Sequence, residues 1–147
     1  SIFNSFEFDG LSYMYAKSPT NVGIETPVMS YGLRITSLER TVIDCIDRID
    51  RCGGSEEMLQ CFGMIMHISE AKLLEVLASY DKATLYKKAG FVLSRFRDRF
   101  NLSDAFFQTC RERANVGSKV LTSCEDCTEY DREWNISYPD TFNSFDY

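Results

Sequence analysis

The densest group of chemically able side chains is Glu39-Arg40-Thr41 with Asp44 three positions on. Two carboxylates around a guanidinium could serve acid–base chemistry. However, Arg40 and Asp44 stand four apart, which makes them neighbours on successive turns of one helix face and natural ion-pair partners. The pair is therefore expected to orient Arg40 at a strand–helix junction, and no residue is assigned a catalytic role. Cys124-Glu125-Asp126-Cys127 has the spacing of a zinc knuckle or a redox pair. A structural zinc site needs a second ligand pair, and none with such spacing exists. Redox thiols favour electropositive helix N-termini, whereas these two are flanked by carboxylates, so the pair reads as a turn with no metal or cofactor. His67, the single histidine, follows the apolar run FGMIM and reads as a helix-terminal or surface residue. Gly53-Gly54 ends a helix instead of opening a phosphate loop. Lys87 and Lys88, and Arg95, Arg97 and Arg99 with Arg111 and Arg113 beyond, form the basic groups. Arg95, Arg97 and Arg99 cannot share one helix face, so they read as solvated surface. The alternative is a basic edge that grazes a DNA backbone placed by another domain.

These side chains sit in 147 residues, the length of about one domain, here 1–147. A hydrophobic fraction of 44% with 14% aromatic residues supplies a packed interior, and 26% charged residues point to a soluble chain rather than a disordered or fibrous one. The net charge of -6 argues against a surface built to neutralise phosphates. There is no apolar run of membrane-spanning length and no signal-peptide pattern, so a cytoplasmic protein is expected. Six cysteines then read as free thiols in a reducing compartment.

The elements that must position these groups read as α+β. Phe6 and Phe8, then Leu11, Tyr13 and Tyr15, alternate about Asp9-Gly10 as an N-terminal β-hairpin opening at Ile2. After a loop over 17–27, a third strand is expected over 28–35. Thr36 then caps a helix, with Glu39 closing a capping box. Leu38, Val42, Cys45, Ile46 and Ile49 form its apolar stripe, and Asp44–Arg48 and Asp47–Arg51 pair across turns. Gly53 and Gly54 stop it. Further helices start at Ser55, at Ser69, over 82–96 and at Leu102-Ser103, the last stopping at Gly117, for a central cluster of about five short helices. Gly90, in the middle of the fourth, implies a close helix crossing. Two C-terminal strands, over 119–122 and around Trp134, Ile136 and Tyr138, are expected to return to the sheet, with an acidic turn over 123–129 between them. The end of the chain is either a loose tail or a docked edge.

Several of these stretches together resemble the effector, or C-terminal, domain of the AbiEi-type antitoxins, transcriptional regulators of abortive-infection type IV toxin–antitoxin systems. They are FDGLSYMYA (8–16), LRITSLERTVID (33–44), Cys52-Gly53-Gly54, LYKKAGFVL (85–93) and EWNISYP (133–139). Glu39, Arg40, Thr41, Asp44, Gly53, Gly54, Gly90 and Trp134 carry the likeness. It implies a non-enzymatic regulatory and partner-binding module that supports neutralisation of a cognate toxin and operon autoregulation. DNA would be held only through an N-terminal winged helix, which is absent from these residues, making them the C-terminal module of a longer regulator. The competing readings are a magnesium-dependent nuclease or nucleotidyl-transfer enzyme, and a small-molecule-sensing domain suggested by 11 Phe and 8 Tyr.

Overall fold

Helix α1 (Leu38–Asp47) turns Val42, Ile43 and Ile46 into the core, and the following 3₁₀ turn (Ile49–Arg51) adds Ile49. The computed structural model describes residues 4–147. The α1 stripe is rotated from the expected one, because Leu38 is 44% exposed while Ile43 is fully buried. The cap is also shifted by one residue: Ser37 Oγ accepts the Arg40 N–H at 3.2 Å. Thr36 belongs instead to a strand, and Glu39 does not close a box on its own helix. Its carboxylate accepts the Ser69 N–H at 2.9 Å, at the start of another helix. Arg48 leaves helical geometry (φ -131, ψ 63), which removes the expected Asp44–Arg48 and Asp47–Arg51 pairs. Arg48 binds Asp50 at 3.0 Å and Asp47 binds Lys82 at 3.1 Å instead. Gly53 (φ 81) and Gly54 (φ 92) then reverse the chain as expected of a glycine stop.

The remaining helices are α2 (Ser55–Gly63), α3 (Glu70–Tyr80), α4 (Ala83–Arg95), the single turn α5 (Arg97–Phe100), α6 (Asp104–Arg113) and α7 (Thr141–Ser144). Helix α4 is the hub, with Leu85, Ala89, Phe91, Val92 and Leu93 buried against α1, α3 and α6. Each of these side chains larger than alanine contributes about 1.5–3 kcal/mol through the apolar area it removes from water. Helix α6 ends at Arg113, well before Gly117. The nearest neighbour of Gly90 is the indole of Trp134, from the turn between the last two strands, and not a helix.

The strands confirm the α+β class and correct its details. β1 (Phe6–Phe8) and β2 (Leu11–Tyr13) pair antiparallel about Asp9 and Gly10, both at positive φ. The expected hairpin start at Ile2 lies outside the described residues. The expected strand over 28–35 survives only at Ile35, because Pro27 and Gly32 (φ 83) break 28–34 into turns. Only β3 (Ile24–Glu25) and β4 (Ile35–Thr36) pair across that loop. At the C-terminus, β5 (Lys119–Val120) lies parallel to β7 (Ile136–Tyr138), with β6 (Glu129–Asp131) antiparallel on its other side. These strands form a sheet of their own and do not join the hairpin. Trp134 sits in the β6–β7 turn, not in the strand. The chain end is docked: Phe142 is fully buried, and Phe145 and Tyr147 pack on Phe96. No described helix is long and apolar enough to cross a membrane.

Candidate functional site

Arg40 leaves the first turn of α1 only 2% exposed, and everything around it is arranged to accept its protons. Nε donates to both Asp44 oxygens at 2.9 and 3.0 Å. Nη1 donates to the carbonyls of Thr20 (3.2 Å) and Val22 (2.7 Å), and Nη2 to Ser18 Oγ (2.7 Å). The guanidinium lies 5.0 Å from the Tyr80 ring centroid, and the Tyr80 hydroxyl donates to Asp44 Oδ1. A buried guanidinium is tolerated only when paired and saturated in this way. Gly23 (φ 73) makes the approach possible, since a Cβ there would stand 2.7 Å from Arg40 Cβ. Thr41 Oγ1 bonds Ser37 O at 2.9 Å and Thr36 Oγ1 at 2.7 Å.

The motif is thus divided among three attachments. Arg40 and Asp44 hold the 17–23 loop and Tyr80, Thr41 holds β4, and Glu39 holds the start of α3. Burial first, and then the Asp44 carboxylate, push the Tyr80 phenol well above the usual tyrosine range, so it stays a proton donor. Asp44, occupied by Arg40 and Tyr80, is a positioning anion.

Above this network lies an open cleft of about 450 Å³, whose walls include Asp44, Asp47, Lys82, Cys45 and Cys52. Asp47 is committed to Lys82 across it.

The other expected residues do not join this cleft. Lys87 is buried, not solvated, with its ammonium on Gly117 O at 3.2 Å. Burial, and then Lys119, lower its pKa, and burial lowers that of half-buried Lys88. Arg95 stacks over Phe91 and Tyr138 at 5.2 and 5.5 Å. Arg97 binds Asp104 at 2.6 Å, and Arg99 donates to Gly63 O at 2.8 Å. Arg111 binds Glu133 and covers the Trp134 ring. The arginines fasten different elements to one another and do not line one face. The Cys127 thiol donates to Thr122 O at 3.3 Å, while Glu125 between the two cysteines accepts Ser55 N–H and Oγ–H at 2.9 and 2.6 Å. That carboxylate replaces the side-chain cap which Gly54, preceding α2, lacks. His67 is exposed between α2 and α3, and among the described residues no three potential ligands gather to hold a metal.

Sequence reasoning missed the exposed apolar side chains that flank the clamped 17–23 loop in sequence. Phe6, Phe8, Leu11, Tyr13 and Met14 of the hairpin are exposed, as are Val28, Met29, Tyr31 and Leu33 of the β3–β4 loop. Phe8 is 69% exposed and Tyr31 98%. Alternation in the hairpin promised one buried face, but β1 and β2 pair only with each other among the described residues. The missed signal is the density of large apolar side chains in a stretch otherwise made of turns. Comparisons with protein-family models, curated proteins and solved structures find no match to this chain.

Proposed function

We propose that this chain is a regulatory, partner-binding module of an antitoxin-like transcriptional regulator acting in the cytoplasm. In this role it contributes to neutralisation of a cognate toxin protein and to operon autoregulation, and it performs no chemistry of its own. The observation that carries the reading is the apolar surface of the hairpin and the β3–β4 loop. A run of large apolar side chains left in solvent marks an interaction site, and a two-stranded ribbon is marginal until it lies on something. The clamp formed by Arg40 and Asp44 supplies the rigid base, since it fixes the loop that follows the hairpin. The residues shared with the AbiEi-type pattern hold this frame together, which suits an identifying mark of a fold. DNA contact is assigned to a winged helix outside these residues, in keeping with the net charge of -6 and with arginines already bound within the chain. For the magnesium-dependent alternative, Asp44 and Asp47 do line one cleft, but both are ion-paired there, with Arg40 and Lys82.

The test is co-purification with the product of the neighbouring gene, followed by calorimetric titration. Phe8→Asp with Tyr31→Asp should abolish binding while leaving the melting temperature unchanged, because exposed positions rarely move stability by more than about 0.5 kcal/mol. A full-length regulator that bound neither that product nor its own promoter would refute the reading.

A further inference from the structure

The chain break after α1 has a chemical result that the clamp and the apolar surface do not use. In one continuous helix, Cys45 and Cys52 would be about 10 Å apart along the axis. Here the helix stops at Asp47, Arg48 turns out, and the 3₁₀ turn folds the chain back with Cys52 N–H on Ile49 O at 3.1 Å. The Cys52 Sγ is thereby brought to 3.5 Å from Cys45 O and 3.3 Å from Arg48 O. Both thiols are half-buried and both line the 450 Å³ cleft, where a small oxidant can reach them.

We propose that Cys45 and Cys52 are a peroxide-oxidised dithiol, in which Cys45 is the attacking thiolate and Cys52 resolves it into a disulfide across the α1–3₁₀ break. The Cys45 sulfur attacks one oxygen of a hydroperoxide; the S–O bond forms, the O–O bond breaks, and the departing oxygen leaves as water or an alcohol after taking a proton. Cys52 then attacks the Cys45 sulfenic sulfur, the S–S bond forms, and the hydroxide leaves as water with the Cys52 proton. Two thiols thus supply the two electrons that reduce one peroxide.

The division of roles follows from where the Cys52 proton is held: its S–H is donated to the Arg48 and Cys45 carbonyls at 3.3 and 3.5 Å, which disfavours a thiolate there. The neighbouring Cys52 side chain lowers the Cys45 pKa below the ordinary thiol value, against burial and the Asp44 carboxylate. The Cys45 thiol first, and then burial, raise the Cys52 pKa, so its proton stays in place until Cys45 has reacted. The other thiols lack this arrangement. Cys110 is pushed up to about 12 by burial, and Cys124 and Cys127 are turned onto Thr122 beside two carboxylates.

The full chain, reduced and then treated with hydrogen peroxide, blocked with N-ethylmaleimide and cut with trypsin without reductant, provides the test. The peptide that starts at Thr41 should be found linked to the peptide that starts at Cys52, with the loss of two hydrogens and of both alkylation sites. Repeating this with Cys61→Ser identifies the linked sulfur, because Cys61 shares the second peptide. In Cys52→Ser, dimedone should label Cys45; in Cys45→Ser, residue 52 should stay alkylatable. The proposal is overturned if Cys45 and Cys52 remain alkylatable at a peroxide dose that oxidises Cys124 or Cys127. A cross-link from Cys45 to any thiol other than Cys52 would overturn it equally.

Discussion

Gly90→Ala should destabilise this protein although it replaces a poor helix former in the middle of α4. In an open helix the change would gain about 1 kcal/mol. Here an added Cβ would stand 2.2 Å from Trp134 Cη2 and Cζ3 and 2.8 Å from Cε3. Ordinary contact would require the ring to retreat by more than about 1 Å in an interior packed as densely as an organic crystal. The ring has little freedom to do so. Trp134 is 4% exposed, its backbone N–H is held by Asp131 Oδ1 at 2.8 Å, and the Arg111 guanidinium covers the ring at 5.2 Å. Overpacking of a stiff neighbour costs about 1–3 kcal/mol, and the upper part of that range applies, leaving a net loss of about 1–2 kcal/mol. For a chain of this size that lowers Tm by roughly 3–6 °C. Thermal unfolding followed by circular dichroism gives the number, and emission from the single tryptophan reports whether the ring has moved. Trp134→Ala alone should cost about 3–5 kcal/mol, and the double variant should cost less than the two together, since the clash is then gone. A Gly90→Ala protein that melted at or above the original temperature with unchanged emission would refute this account of the α4–Trp134 contact.

Asp44→Ala should cost about 3 kcal/mol by thermal melt, because it leaves a guanidinium buried without its anion. Arg40→Lys should also destabilise despite keeping the charge, since an ammonium cannot reach a carboxylate, two carbonyls and a hydroxyl from one plane. Gly23→Ala should destabilise through both its positive φ and the 2.7 Å approach to Arg40 Cβ, with no loss of secondary structure in the helices. At high pH the sign is fixed by the Tyr80 phenol, whose pKa is raised in the folded chain. Above about pH 10 the unfolded chain loses this proton while the folded chain keeps it, so stability falls as pH rises. Tyr80→Phe should flatten that decline in a pH series of urea melts. Burial raises Tyr86 and Tyr147 as well, so some of the decline remains.

What the sequence made legible is what is local along it. Ser69 and Ser103 cap their helices because a cap is decided within a turn of chain, and Gly53-Gly54 stops the chain for the same reason. Arg40 and Asp44 pair because four residues suffice. The misreadings have physical causes of the same kind. Thr36 was as good a cap as Ser37 by chemistry, and only its pairing with Ile24 decides between them. A strand over 28–35 ignored what Pro27 and Gly32 do to a ladder. Nothing in periodicity could announce that Trp134 lies on Gly90, or that the hairpin's phenylalanines face water, because both depend on where distant segments meet.

The same non-local logic governs the helix N-termini, and it yields the sharpest test of Glu39. Glu39 on α1 accepts the Ser69 N–H before α3; Glu70, in the first turn of α3, accepts Ser103 N–H and Oγ–H at 2.7 Å each before α6. Glu125 does the same for α2. Each carboxylate meets the positive end of a helix it does not belong to, so one interaction caps a helix and ties two elements together. Glu39→Gln keeps an acceptor oxygen and loses the charge, which costs about 0.3–1 kcal/mol. Glu39→Ala loses the acceptor too and should cost about 2 kcal/mol, because the side chain is buried and no solvent stands ready to replace it. Hydrogen exchange at Ser69 and through the first turn of α3 should quicken in Glu39→Ala more than in Glu39→Gln, while α6, capped by Glu70, keeps its protection. If both variants were equally destabilised, with exchange unchanged at Ser69, Glu39 would be acting through its own helix and the cross-capping argument would fail.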